Sequence, residues 1–227
     1  MSQYKDKIRD ILENKDQYHT AFYRANTFTG PSLYFHRLAL KLRRDSDRQR
    51  YLDSIYATLA SWGMHRMGPG GSKMADMALF KASVDALWED ITAASSISYH
   101  SISEADWTLL KKIFDGIRIM QSETRLVGNS KVMAHLVPNI IPPIDRAYTL
   151  KFLKGNTMIK NDVQHEWATM RNIISEFFIP VAKDSGFQTR AQAWINDLQT
   201  YPWDTSEFKV IDNLLIGAGK TNDSVSS

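Results

Sequence analysis

The chain of 227 residues contains no cysteine. That excludes a disulfide framework, a thiol nucleophile, a cysteine-type zinc site and a four-cysteine iron–sulfur cluster. It also lacks any run of roughly 18 apolar residues, so no segment reads as a membrane span. Residues 1–15 are charged and have no apolar centre of the kind a signal peptide needs. The expectation is a cytoplasmic protein with no membrane partner. Charge of one sign is not in large excess: 28 Lys and Arg face 25 Asp and Glu, for a net +3. That allows a nucleic-acid partner only if the basic groups gather on one face. The six histidines show no HExxH or other metal spacing, and no Gly-x-Ser-x-Gly elbow occurs. No repeat of 20–50 residues occurs either, and nothing implies a metal or a cofactor.

What is present suits a folded helical core. Hydrophobic residues make up 43% and aromatics 11%, which excludes global disorder. Apolar positions recur at helical spacing in 4–13, 31–42, 51–62, 73–91 and 103–117, then in 145–153, 162–182, 189–198 and 206–215. No stretch alternates strictly, so the fold class is all-α, within one helical domain. Ser103 followed by Asp106 reads as a capping-box start. The serine-rich stretch 95–101 is the candidate boundary between two lobes. Residues 217–227 are small and polar and read as a fraying tail.

Three segments carry candidate chemistry. In 124–153, TRLVGNSKVMAHLVPNIIPPIDRAYTLKFL, Leu126 to Ser130 reads as a short turn, because Gly128 and Asn129 tolerate left-handed backbone. Ser130 can then cap a helix over 131–137. Exposed N–H groups at such a helix start, with Arg125 and Lys131 beside them, can hold a DNA phosphate without reading sequence. Further on, Pro142 and Pro143 stiffen the approach to Asp145, which sits at the start of the helix bearing Arg146. An N-cap role alone also accounts for Asp145. In 60–69, Trp62, Met64, His65 and Arg66 lie on a glycine-flanked break and suit a ligand or base pocket; a core plug accounts equally for Trp62. The basic run His36, Arg37, Lys41, Arg43, Arg44, Arg48, Arg50 reads first as a solvated helix surface, with a DNA-backbone face as the alternative. Tyr34, Phe35 and His36 also form an aromatic cluster that reads as core.

Val127-Gly128-Asn129-Ser130-Lys131, followed by Pro143-Ile144-Asp145, resembles the hairpin and catalytic turn of the helix-hairpin-helix DNA glycosylases. The resemblance covers about 30 residues, within a helix-hairpin-helix-like element over 113–153. It implies a two-lobed helical glycosylase that removes a damaged or modified base, in repair or in defence against modified phage DNA, from duplex DNA with the base flipped out. By the same resemblance Asp145 is the catalytic carboxylate and Lys131 the nucleophile of an accompanying abasic-site lyase. Residues 125–131 and Arg146 would contact DNA. Two registers fit. Matching Lys131 to the family's lysine puts Asn129 where the family has glycine, whereas matching Ala134 to its small residue puts Val132 at the lysine position. Water then attacks in place of Lys131. The alternative function is a non-catalytic helix-hairpin-helix module that binds DNA or a protein.

Overall fold

A computed structural model describes residues 3–25, 29–43, 47–65, 67–68, 71–160 and 162–225. The chain is predominantly helical. It begins with α1 (Lys5–Ala25), α2 (Pro31–Leu42) and α3 (Arg48–Leu59), whose end widens into a π-helical turn, Ala60–Met64. A two-residue hairpin follows, β1 (Met67–Gly68) against β2 (Gly71–Ser72). Next come α4 (Met77–Asp85), α5 (Trp88–Ala94), α6 (Glu104–Gly116) and α7 (Leu126–Leu136). A second π turn, Arg146–Leu150, leads into α8 (Lys151–Lys154). The C-terminal part holds α9 (Val163–Ile173), a third π turn (Ile174–Phe178), α10 (Ile179–Ala182), α11 (Ser185–Ile195) and α12 (Glu207–Val225). No helix among the described residues is long and apolar enough to cross a membrane.

Local chemistry sets many of these boundaries. Pro31 opens α2, where its missing N–H costs nothing. Ser103 and Asp106 form the reciprocal capping box of α6. Asp47, Asp162 and Asp184 each accept an N–H at the start of a helix. The third π turn directly precedes Ile179-Pro180. Proline cannot donate to the carbonyl four residues back, and a wider turn absorbs the mismatch.

Several sequence expectations need correction. The 73–91 helix is two helices, interrupted at Ala86 and Leu87. Within 95–101, Ile97 and Tyr99 are buried in the same core as Ile55, Phe114 and Leu214, and the Tyr99 hydroxyl donates to Glu207. The expected tail is helical through Val225. It packs because Gly217 brings α12 against the backbone of α1; a Cβ there would lie 1.9 Å from the Tyr18 carbonyl oxygen. Tyr34 is 63% exposed, not core.

The turn expected at 126–130 is also absent. These residues are the first turns of α7, and the connection from α6 is 117–125. Gly128 is there for packing, since a Cβ would come within 2.8 Å of Ile119 and 2.9 Å of Met120. Asn129 is buried and donates to the carbonyls of Phe114 and Ile117, closing the C-terminus of α6. Both residues favour turns in a bare sequence, and tertiary contacts outweigh that preference here.

Candidate active site

Two N–H groups at the start of α7 are already taken. The buried carboxylate of Glu166 in α9 accepts the backbone N–H groups of Arg125 (2.6 Å) and Leu126 (2.5 Å). Those are the donors a phosphate would need. Arg125 itself turns inward, and its guanidinium donates to the Asp115 carbonyl at the end of α6. Gly128, Asn129 and Ser130 are buried. Of the residues expected to grip a phosphate, Arg125, Asn129 and Ser130 are committed to contacts inside the fold, while Val127 and Gly128 border an open groove.

Ser130 has a different task. Its hydroxyl accepts the N–H of Ile144 at 3.1 Å, tying the Pro142-Pro143 approach to α7. This fixes Asp145 beside Lys131, the residue following Ser130. Lys131 Nζ donates to Asp145 Oδ2 at 3.0 Å. The other oxygen of Asp145 accepts the Ala147 N–H at 2.7 Å, and its own N–H donates to the buried Thr149 hydroxyl at 3.2 Å. Asp145 is thus an N-cap and also the partner of a lysine 14 positions earlier. The lysine side chain is 11% exposed and the aspartate side chain 29%, so the pair is screened from water yet reachable.

The pair lines a cavity of about 280 Å³, close to the small end of the roughly 300–1,000 Å³ range of ligand sites. Its walls come from distant parts of the chain: Phe22 of α1, Trp62 of the first π turn, Tyr148 of the second and Trp203 ahead of α12. Lys131 Nζ lies 5.7 Å from the centre of the Trp62 ring. The cavity has a second polar pair: Lys209 and Asp212 of α12 face it, joined at 2.8 Å, and Lys209 also donates to Asn213. Asn213 donates to Asp204 at 2.7 Å, and Asp204 meets His19 at 2.8 Å. Burial raises the Asp212 carboxyl above its ordinary range, and Lys209 opposes the shift.

On the outer side, Lys131 and Asp145 also border an open groove of about 740 Å³. Val127, Met64 and the exposed Arg146 line it, as do Lys73 and the 120–124 part of the α6–α7 connection. That connection is held by a backbone bond from the Gln121 N–H to the Lys73 carbonyl at 3.0 Å. Of the residues expected in a base pocket, Trp62 lines the cavity and Met64 the groove. His65 is exposed and contacts Ser72 at 3.0 Å, and Arg66 lies outside the described residues.

Behind Trp62, a buried histidine pair backs the site. His135 Nδ1 donates to the Lys131 carbonyl at 2.8 Å, which leaves its Nε2 as an acceptor 3.3 Å from His36 Nδ1. Burial lowers His135 to about 4 and takes His36 well below its ordinary value, so both rings are neutral near pH 7. His36 therefore belongs to the core and not to a basic face. Arg37, Lys41, Arg43 and Arg50 of the same run are exposed, and Arg44 is not described. Arg48 pairs with Asp85 at 3.0 Å and stacks on Trp88. A hollow of about 740 Å³ beside Arg43 and Arg48 holds no part of the Lys131–Asp145 site.

The sequence signal for Lys209 and Asp212 was an interruption, two charges at i and i+3 inside the apolar run of 208–216. Among the described residues no group of three or more His, Asp and Glu is placed to hold a metal ion. Comparison with known proteins finds no matching family model, no matching curated protein and no matching solved structure.

Proposed function

We propose that this protein is a DNA N-glycosylase that withdraws a base into the 280 Å³ cavity and breaks its bond to deoxyribose with Lys131 and Asp145. One observation carries the reading: an amine and a carboxylate 3.0 Å apart lie where an aromatic-walled cavity meets an open groove. A base must leave the duplex stack before such chemistry, and stacking on aromatic side chains offsets part of that cost. The groove suits the strand, with Arg146 and Lys73 on its rim. A non-catalytic DNA-binding module needs the groove but has no use for the cavity.

Cleavage of the N-glycosidic bond builds positive charge on the sugar, and the Asp145 carboxylate stabilises it. The hydrogen bond from Lys131 also gives Asp145 a route to take the ammonium proton and pass it to the departing base. The free amine then bonds to C1′ as the base leaves with the bonding electron pair. The C1′–O4′ bond of this adduct then breaks, its electron pair staying on O4′, which takes a proton from the nitrogen; the ring-opened iminium acidifies C2′, whose proton is lost as the 3′ phosphate leaves, and hydrolysis returns Lys131. If the amine does not attack, water held by Asp145 does, and an intact abasic site is the product. The cavity walls from α1 and α12 and those from α7 and the first π turn face each other, which suits the two-lobed architecture implied by the sequence resemblance. The α6–α7 connection at 117–125 takes the place of the expected 126–130 turn in contacting the backbone.

The test is excision from duplexes carrying single lesions, read as strand breaks before and after alkali, with borohydride trapping in parallel. A trapped adduct lost in Lys131→Met supports the lyase. Alkali-dependent breaks without an adduct support water attack. No cleavage across a broad panel, or full activity in Asp145→Asn, overturns the proposal.

A further inference from the structure

Lys209 and Asp212 are more than a buried ion pair. An ammonium has three protons, and two are used, on Asp212 Oδ2 and on Asn213. The third has no acceptor among the described residues, and neither has Asp212 Oδ1 a donor. Both side chains line the cavity that Lys131 and Asp145 also line. The ring centres of Phe22 and Trp203 each lie 5.7 Å from the Lys209 ammonium. The lysine cannot swing freely, because Asn213 and Asp204 hold it from behind. The cavity therefore presents one fixed donor and one fixed acceptor, side by side on one face of α12.

We infer that Lys209 and Asp212 read the lactam edge of the withdrawn base, a carbonyl oxygen next to a ring N–H. The inference rests on the glycosylase reading and names its substrate class. A carbonyl oxygen is the better acceptor for an ammonium, and a lactam N–H is a stronger donor to a carboxylate than an exocyclic amine. An amidine edge, as in adenine or cytosine, offers the weaker member of each pair. Hydrolytic deamination converts an amidine edge into a lactam, and oxidation at C8 gives a purine a new one. Guanine and thymine carry a lactam edge too, so the pair separates lactam bases, deaminated and C8-oxidised ones among them, from adenine and cytosine; preference for a lesion over guanine or thymine rests on the lower cost of extruding a mispaired or damaged base. A base with neither partner leaves two buried polar groups unsatisfied, which is the strongest form of rejection a pocket can impose.

The experiment compares matched lesions that differ only in the lactam proton. These are hypoxanthine with 1-methylhypoxanthine, uracil with 3-methyluracil, and 8-oxoguanine with its 7-methyl derivative, each in the same duplex. The wild-type protein should excise at least one parent base with kcat/KM roughly 100-fold above its methylated partner. Lys209→Met/Asp212→Leu removes both charges together, so no lone ion is buried and folding is preserved. This variant should bring the paired rates within a few-fold of each other while duplex affinity holds. Equal wild-type excision of parent and methylated bases, or an unchanged preference in the variant, overturns the inference and leaves the glycosylase reading standing. Failure of the wild type to excise any base in the set removes both.

Discussion

The hydroxyl of Ser130 accepts the backbone N–H of Ile144 at 3.1 Å, across 14 residues of chain. Lys131 follows the first residue and Asp145 the second. The distance between amine and carboxylate is therefore set by a neighbouring, fully buried bond and does not depend on side-chain attraction alone. Ser130→Ala leaves the Ile144 N–H buried without an acceptor, at a cost of about 1–3 kcal/mol. We expect excision to fall by more than the stability loss explains, with affinity for duplex DNA little changed. Thermal unfolding and single-turnover kinetics on one sample separate the two effects.

Exchange of either member of the pair removes chemistry and keeps the fold. Asp145→Asn retains an oxygen for the Ala147 N–H but loses the negative charge, and excision should drop roughly 10²–10⁴-fold. Lys131→Met should abolish borohydride-trapped adducts. Both variants should keep far-ultraviolet circular dichroism and unfold cooperatively. A trapped adduct persisting in Lys131→Met would point to Lys209, the other amine in the cavity.

Acid should weaken the fold through His36 and His135. Their folded values lie below 6.5, lowered by burial, with His135 at about 4. Between those limits the unfolded chain binds more protons, so stability falls as pH falls from 6.5. Asp212 acts in the opposite sense, because its carboxyl is raised by burial. The histidines should lower the melting temperature by roughly 5–10 °C between pH 7 and 5.5. His36→Phe/His135→Phe isolates their share, and a melting temperature that still falls as steeply in that variant would refute this origin.

Gly217→Ala should be costly despite the better helix propensity of alanine. The added Cβ would meet the Tyr18 carbonyl oxygen at 1.9 Å, so α1 and α12 must move apart. Overpacking of this kind costs about 3 kcal/mol, or roughly 6–12 °C in a chain of this size. Because Phe22 and Lys209 sit on those two helices, excision should fall as well. Gly219→Ala is the control: its Cβ would reach only Tyr148 side-chain carbons, at 3.1 Å.

Much of the helical layout was legible, because 3.6-residue periodicity and caps such as Ser103 with Asp106 act locally. Asp145 was legible as a helix start for the same reason. The start of α7 was not. Gly128 and Asn129 look like a turn until Met120, Phe114 and Ile117 stand next to them. Glu166, 40 residues from the backbone it caps, gave no local sign of that task. Lys209 and Asp212 were hidden because charges on an amphipathic helix ordinarily face water. Their burial depends on α1 arriving from the other end of the sequence.

That dependence on α1 bears on how the protein comes into being. Phe22 is synthesised nearly 190 residues before Lys209 and Asp212. Until α12 leaves the ribosome and docks on α1, the cavity has neither the Lys209–Asp212 pair nor its second wall. A nascent chain could carry Lys131 and Asp145 close together yet have nowhere to seat a base. On the proposed function, base removal would thus await the docking of α12 on α1, sparing nucleic acids around a half-made chain.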